Sequence, residues 1–85
     1  MPLDQFARRA AYYLGEINAL HPFREGNGRT QRIFLNDLAN QAGYQFEWDR
    51  ITPQEMVRAS EQSLIHGDNS GLEQIFLAIL VPIQP

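Results

Sequence analysis

Residues 21–32 read His21-Pro22-Phe23-Arg24-Glu25-Gly26-Asn27-Gly28-Arg29-Thr30-Gln31-Arg32. This stretch divides the chain into two helical parts. Pro22 disfavours α geometry at the residue before it, so a helix arriving from the N-terminal side should end at His21. Gly26 and Gly28 allow backbone conformations and close approaches that a side chain would block. A new helix should begin near Asn27 or Gly28. Its first turn would offer unpaired N–H groups at the positive end of a helix dipole. Glycine turn and helix start together form an anion cradle built from backbone.

Working outward, residues 4–20 place Phe6, Ala10, Tyr13, Leu14, Ile17 and Leu20 at three- and four-residue spacing, the signature of an amphipathic helix. Asp4 can cap it. Gly15 is a defect within it, costing about 1 kcal/mol relative to alanine. Downstream, Ile33, Phe34, Leu35, Leu38, Ala39 and Ala42 give the second helix a wide apolar stripe and predict a central, largely buried element ending before Gly43. Tyr44-Gln45-Phe46-Glu47-Trp48 alternates like a strand. No second strand is visible to pair with it, so it reads as an extended connection whose rings seal the helix packing. Thr52-Pro53-Gln54-Glu55 is a capping box with proline at the first helical position, opening a third helix over 53–66 that Gly67 stops. Ser70-Gly71-Leu72-Glu73 repeats the spacing and opens a fourth helix over about 71–80, with Pro82 ending it. The expected fold is all-α, a small bundle of about four helices, with 1–85 as a single domain.

Composition narrows the chemistry. The chain has 85 residues, 44% of them hydrophobic, enough for one modest core. Its net charge is -3, and all seven cations are arginines. Without cysteine there is no disulfide framework, zinc ribbon or thiol nucleophile. Without lysine there is no Walker A loop and no Schiff base. Net acidity argues against nucleic acid as a partner. No apolar run approaches the ~20 residues of a membrane span, and Met1-Pro2-Leu3-Asp4 lacks the basic start of a signal peptide. Yet residues 21–32 hold three arginines against one glutamate, a local +2 in a chain that is otherwise -5. Such an island suits a local anion site.

Each polar group of the island has a use beside a polyphosphate. Asn27 can donate its amide to a phosphate oxygen. Arg29 and Arg32 lie one helical turn apart, and their guanidinium forks match phosphate oxygens. Glu25 is poorly placed beside phosphates unless a cation lies between them, and Mg²⁺ takes such a mixture of carboxylate and phosphate oxygen. His21 can serve as a general base. Arg24 reads as a solvated charge. His66 reads as a cation at the negative end of a helix. Tyr44, Phe46 and Trp48 read as core, and Tyr12 as a potential site of self-modification.

The segment resembles the signature of the Fic family, His-x-Phe-x-Asp/Glu-Gly-Asn-Gly-Arg-x-x-Arg, with every specified position filled. The likeness extends from about Arg8 to Leu80, including Ala42-Gly43-Tyr44 and the stretch from Ile51 to Leu72 with its Gly67-Asp68. It implies a protein adenylyltransferase, which moves AMP from ATP to a Tyr, Thr or Ser hydroxyl of a target protein and releases pyrophosphate. It implies His21 as the base, Glu25 as the Mg²⁺ ligand, and Gly26, Asn27 and Gly28 as the anion hole. Arg29 and Arg32 would hold the β- and γ-phosphates, and Phe23 would anchor the loop. Arg58, Gln62 and Ile65 share a face of the third helix and are candidates for the adenine pocket.

The resemblance also sets expectations by what does not match. Fic domains carry a β-hairpin flap upstream of the motif, whereas the residues before His21 read as one helix. The chain is therefore expected to be a C-terminal part of the domain without the flap. An inhibitory Ser/Thr-x-x-x-Glu motif is not found at any serine or threonine of this sequence, so an inhibitor would have to lie in sequence outside it or in a separate antitoxin-like protein, as in a bacterial toxin–antitoxin pair. Cytoplasmic action is expected, with delivery into another cell as an effector left open. The alternative reading is an impaired fragment acting as a helical module that binds a nucleotide or a protein.

Overall fold

A computed structural model describes the backbone of residues 1–20 and 27–83 and the side chains of residues 1–17 and 31–83. The elements run α1 (Leu3–Leu20), α2 (Asn27–Ala42), β1 (Tyr44–Phe46), a 3₁₀ turn (Trp48–Arg50), α3 (Pro53–His66), α4 (Ser70–Ile79) and β2 (Leu80–Pro82). The helical bundle thus has the expected four helices. Among the described residues no helix is long and apolar enough to cross a membrane.

Local chemistry sets most helix ends. Pro53 opens α3, and the Thr52 hydroxyl accepts the Glu55 N–H at 3.2 Å. Gly67, at φ +65°, closes it by donating to the Gln62 and Ser63 carbonyls. Gly43 takes φ +90° just after α2. Asp4 falls inside the first turn of α1 rather than ahead of it, where its charge still faces the positive dipole end.

The start of α4 departs from expectation. Ser70 is its first residue, and Asn69 precedes it without a capping bond from its side chain. That side chain instead accepts the Ser63 hydroxyl proton, tying the start of α4 to α3. Asp68 compensates, its carboxylate accepting the Ser70 N–H at 3.0 Å. This hydrogen bond holds the Asp68 carboxyl below the ordinary carboxylate range.

The core centres on α4. Leu72, Phe76 and Ile79 are buried along one face, which packs on α1 and α3. The buried face of α1 is Phe6, Ala7, Ala10, Ala11 and Leu14. Tyr13, expected on that face, is 44% exposed, because the small Ala7 and Ala11 take the inward direction where helices approach closely. The expectation for α2 is also corrected. Leu35 and Ala39 are buried, but Ile33 is 58% exposed and Phe34 and Ala42 are exposed too. Only one row of its wide stripe turns inward among the described residues.

The connection after α2 is a strand. Tyr44, Gln45 and Phe46 pair antiparallel with Pro82, Val81 and Leu80. The Glu47 N–H donates to the Ile79 carbonyl at 2.8 Å, and the Ile83 N–H to the Gly43 carbonyl at 3.0 Å, extending the ladder at both ends. Both strands follow residue 32 in the chain. The rings of β1 do seal the packing. Phe46 stacks on Trp48 at 4.7 Å and meets Phe76 edge-on at 5.1 Å, while Phe6 lies 5.6 Å from Tyr44.

Gly15 is a point of close approach. A Cβ there would sit 2.7 Å from the Asn69 Oδ1 and 2.9 Å from the Ser63 Oγ. Alanine would add helix propensity of about 1 kcal/mol but would displace the Ser63–Asn69 pair, and overpacking of this kind costs about 1–3 kcal/mol. Gly15→Ala is therefore expected to lower the urea midpoint. A raised midpoint would show that the pair yields freely.

Candidate active site

α1 and α2 bracket the motif. α1 runs to Leu20 and α2 starts at Asn27. His21, Phe23, Arg24, Glu25 and Gly26 lie outside the described residues, so their assigned roles rest on sequence. Asn27, Gly28 and Arg29 form the first turn of α2 and Arg32 follows in the next, so one helix carries both arginines, three residues apart. That first turn holds the N–H groups that have no carbonyl partner within the helix.

Arg32 is exposed, and its guanidinium carbon lies 5.7 Å from the centroid of the Trp48 ring. Such a cation is attracted by the negative face of an indole. The Trp48 Nε1–H in turn donates to the Asn36 Oδ1 at 2.8 Å. Asn36 sits one turn after Arg32 on α2, so the two ends of this contact share a helix. Sequence reading assigned Trp48 to the core and gave Asn36 no role. The four-residue spacing of Arg32 and Asn36 was a legible signal, but the return of Trp48 onto them depends on the turn at Gly43 and on β1.

Of the adenine candidates, Arg58 and Gln62 line a groove of about 360 Å³ between α3 and α4, with Ile75 on its opposite side. Ile65 does not line it and is 69% exposed. Arg50 also lines this groove, so the 3₁₀ turn reaches it at one end while Trp48, at the other, meets Arg32. Arg50 pairs with Glu47 at 3.1 Å on the surface. Among the described residues, no group of three or more His, Asp or Glu comes together in a way that could hold a metal.

Residues 2–39 match the model of the Fic/DOC family. Over these residues, which include the whole of the motif, the chain is similar to the Fic family. Protein adenylyltransferase VbhT of Bartonella schoenbuchensis is 62% identical over 60 residues, which cover 71% of this chain and 13% of that protein. A protein adenylyltransferase of Bartonella henselae is 40% identical over 79 residues, 93% of this chain and 14% of that protein. Among solved structures, the Fic fold described above is similar to BepC of Bartonella tribocorum, a VirB-translocated effector protein solved with bound AMPPNP. The TM-score is 0.90 at 30% identity, covering 99% of this chain and 40% of that one. The chain thus spans less than half the length of each of these proteins.

Proposed function

We propose that this chain supplies the catalytic helices of a protein adenylyltransferase, transferring AMP from ATP to a Tyr, Thr or Ser hydroxyl of a target protein. The observation that carries the reading is the complete motif from His21 to Arg32, set between two helices in a fold matched by a nucleotide-bound Fic structure. His21 accepts the proton of the target hydroxyl. The freed oxygen attacks the α-phosphorus in line, and pyrophosphate leaves. The backbone of Gly26, Asn27 and Gly28 receives the charge on the α-phosphate, and the Asn27 amide orients it. Arg29 and Arg32 take the β- and γ-phosphates. Transfers of this class depend on positioning and charge stabilisation, which this residue set supplies without a covalent intermediate.

Mg²⁺ is the metal this donor set suits. A single carboxylate, Glu25, together with phosphate oxygens is a set of hard oxygen ligands typical of that ion. When bound, it would neutralise the charge of the departing pyrophosphate. Arg58 and Gln62 are the better supported of the adenine contacts, because both line one groove. Inhibition would come from sequence outside these 85 residues or from a separate antitoxin-like protein. The work is cytoplasmic, in the bacterium or in a cell that receives the protein.

The test uses ATP labelled in turn at the α- and γ-phosphates, with the chain and the full-length product of its gene, in a cell lysate that supplies targets. Transfer of AMP leaves the α label on protein and none of the γ label. ATP binding without labelling would favour the binding-module reading, and γ labelling would mean phosphorylation. Glu25→Ala is expected to raise the Mg²⁺ concentration needed for half-maximal labelling. An unchanged Mg²⁺ titration would remove Glu25 from the metal site.

A further inference from the structure

We propose that Trp48, held in place by Asn36, positions the Arg32 guanidinium for the outer phosphate of the nucleotide; this rests on the reading of Arg32 as a phosphate-binding cation. An exposed arginine has many rotamers, and ordering it on ligand binding opposes affinity. Here the guanidinium already has a seat, 5.7 Å above the Trp48 ring. The ring itself is fixed from two sides. It stacks on the buried Phe46 at 4.7 Å and meets the buried Phe76 edge-on at 6.1 Å. Its N–H is bound by Asn36, one turn along the helix that carries Arg32. Rotation of the indole would break that hydrogen bond, so seat and cation keep a constant relation to α2.

The choice of a ring as the partner matters. Among the described residues no carboxylate pairs with Arg32. A carboxylate would occupy the N–H donors of the guanidinium, whereas an aromatic face attracts the charge and leaves donors available for an anion. Trp48 and Asn36 are therefore positioning residues for the phosphate contact.

The experiment measures Kd for ATP and for AMP by calorimetry, with Mg²⁺ present, on the full chain. The variants are Trp48→Phe and Asn36→Ala, each with and without Arg32→Ala. Trp48→Phe keeps a ring in the core, and Asn36 is only half-buried, so both are expected to stay folded, as thermal melts would verify. Both should weaken ATP binding roughly two- to five-fold. AMP, which lacks the outer phosphates, should bind as before, and the ATP losses should vanish once Arg32 is alanine. Equal losses for ATP and AMP, losses that persist without Arg32, or no loss at all would each overturn the positioning role. Parental ATP affinity in Arg32→Ala alone would instead overturn the phosphate reading of Arg32, and the proposal with it. Trp48 is the only tryptophan in the chain, so its emission reports the contact directly. An Arg32→Ala spectrum identical to the parent's would likewise overturn the proposal.

Discussion

His21→Ala is expected to reduce α-label transfer by about 10²–10⁴-fold, the range associated with a general base, while ATP binds nearly as tightly as to the parent. The asymmetry follows from where the imidazole acts. In the proposed mechanism it takes a proton from the incoming hydroxyl, whereas backbone N–H groups, Asn27 and two arginines would hold the nucleotide. Loss of this base therefore raises the barrier without removing the phosphate contacts. His66 provides the internal control. It is exposed in the last turn of α3, and His66→Ala should leave transfer at the parental rate. Equal label incorporation by His21→Ala and the parent would end the assignment of His21. Parallel loss of ATP affinity and transfer would mean that His21 shapes the loop rather than moves the proton.

The largest stability effect is expected at Phe76. Its side chain is fully buried, and its ring meets Phe46 at 5.1 Å and Trp48 at 6.1 Å. Truncation to alanine removes apolar surface from the centre of the core and leaves a cavity bounded by rings that cannot close over it freely. Such changes cost about 3–5 kcal/mol. Each kcal/mol moves the melting temperature of a domain this size by about 4–8 °C, so a fall of more than ~12 °C is expected. Phe76→Leu should lose much less, because it refills most of the volume. Ile65→Ala, on an exposed site, should stay within about 0.5 kcal/mol of the parent. A Phe76→Ala loss no larger than that of Ile65→Ala would contradict the central place of α4. The Arg32 seat should suffer as well, since Phe76 supports the edge of Trp48.

The elements that sequence reading located well are those defined by neighbouring residues. Pro53 with Thr52, and Gly67 at positive φ, bound α3 because caps are short-range chemistry. Tyr44–Phe46 shows the opposite case. Its alternation suggested a strand, but its partner is three residues long and follows α4 directly. Leu80-Val81-Pro82 is too short to show a period of its own and ends in proline, so it reads as the frayed end of a helix. Gly15 likewise looked like a weak point in α1. The reason for it lies across space, in the Ser63 and Asn69 side chains that fill the volume a Cβ would need.

The candidate site divides along the same line. The order of histidine, glutamate, Gly-Asn-Gly and two arginines is covalent information, and the spacing of Arg29 and Arg32 on one helix follows from the helical repeat. Sequence alone therefore determined the likeness to the Fic family, the four helices and the order of the residues proposed to bind phosphate. Only the tertiary structure decided which apolar faces turn inward, that β1 has a partner, and that Trp48 comes to lie under Arg32. Those outcomes depend on contacts between residues far apart in the chain, and no local period or motif encodes them.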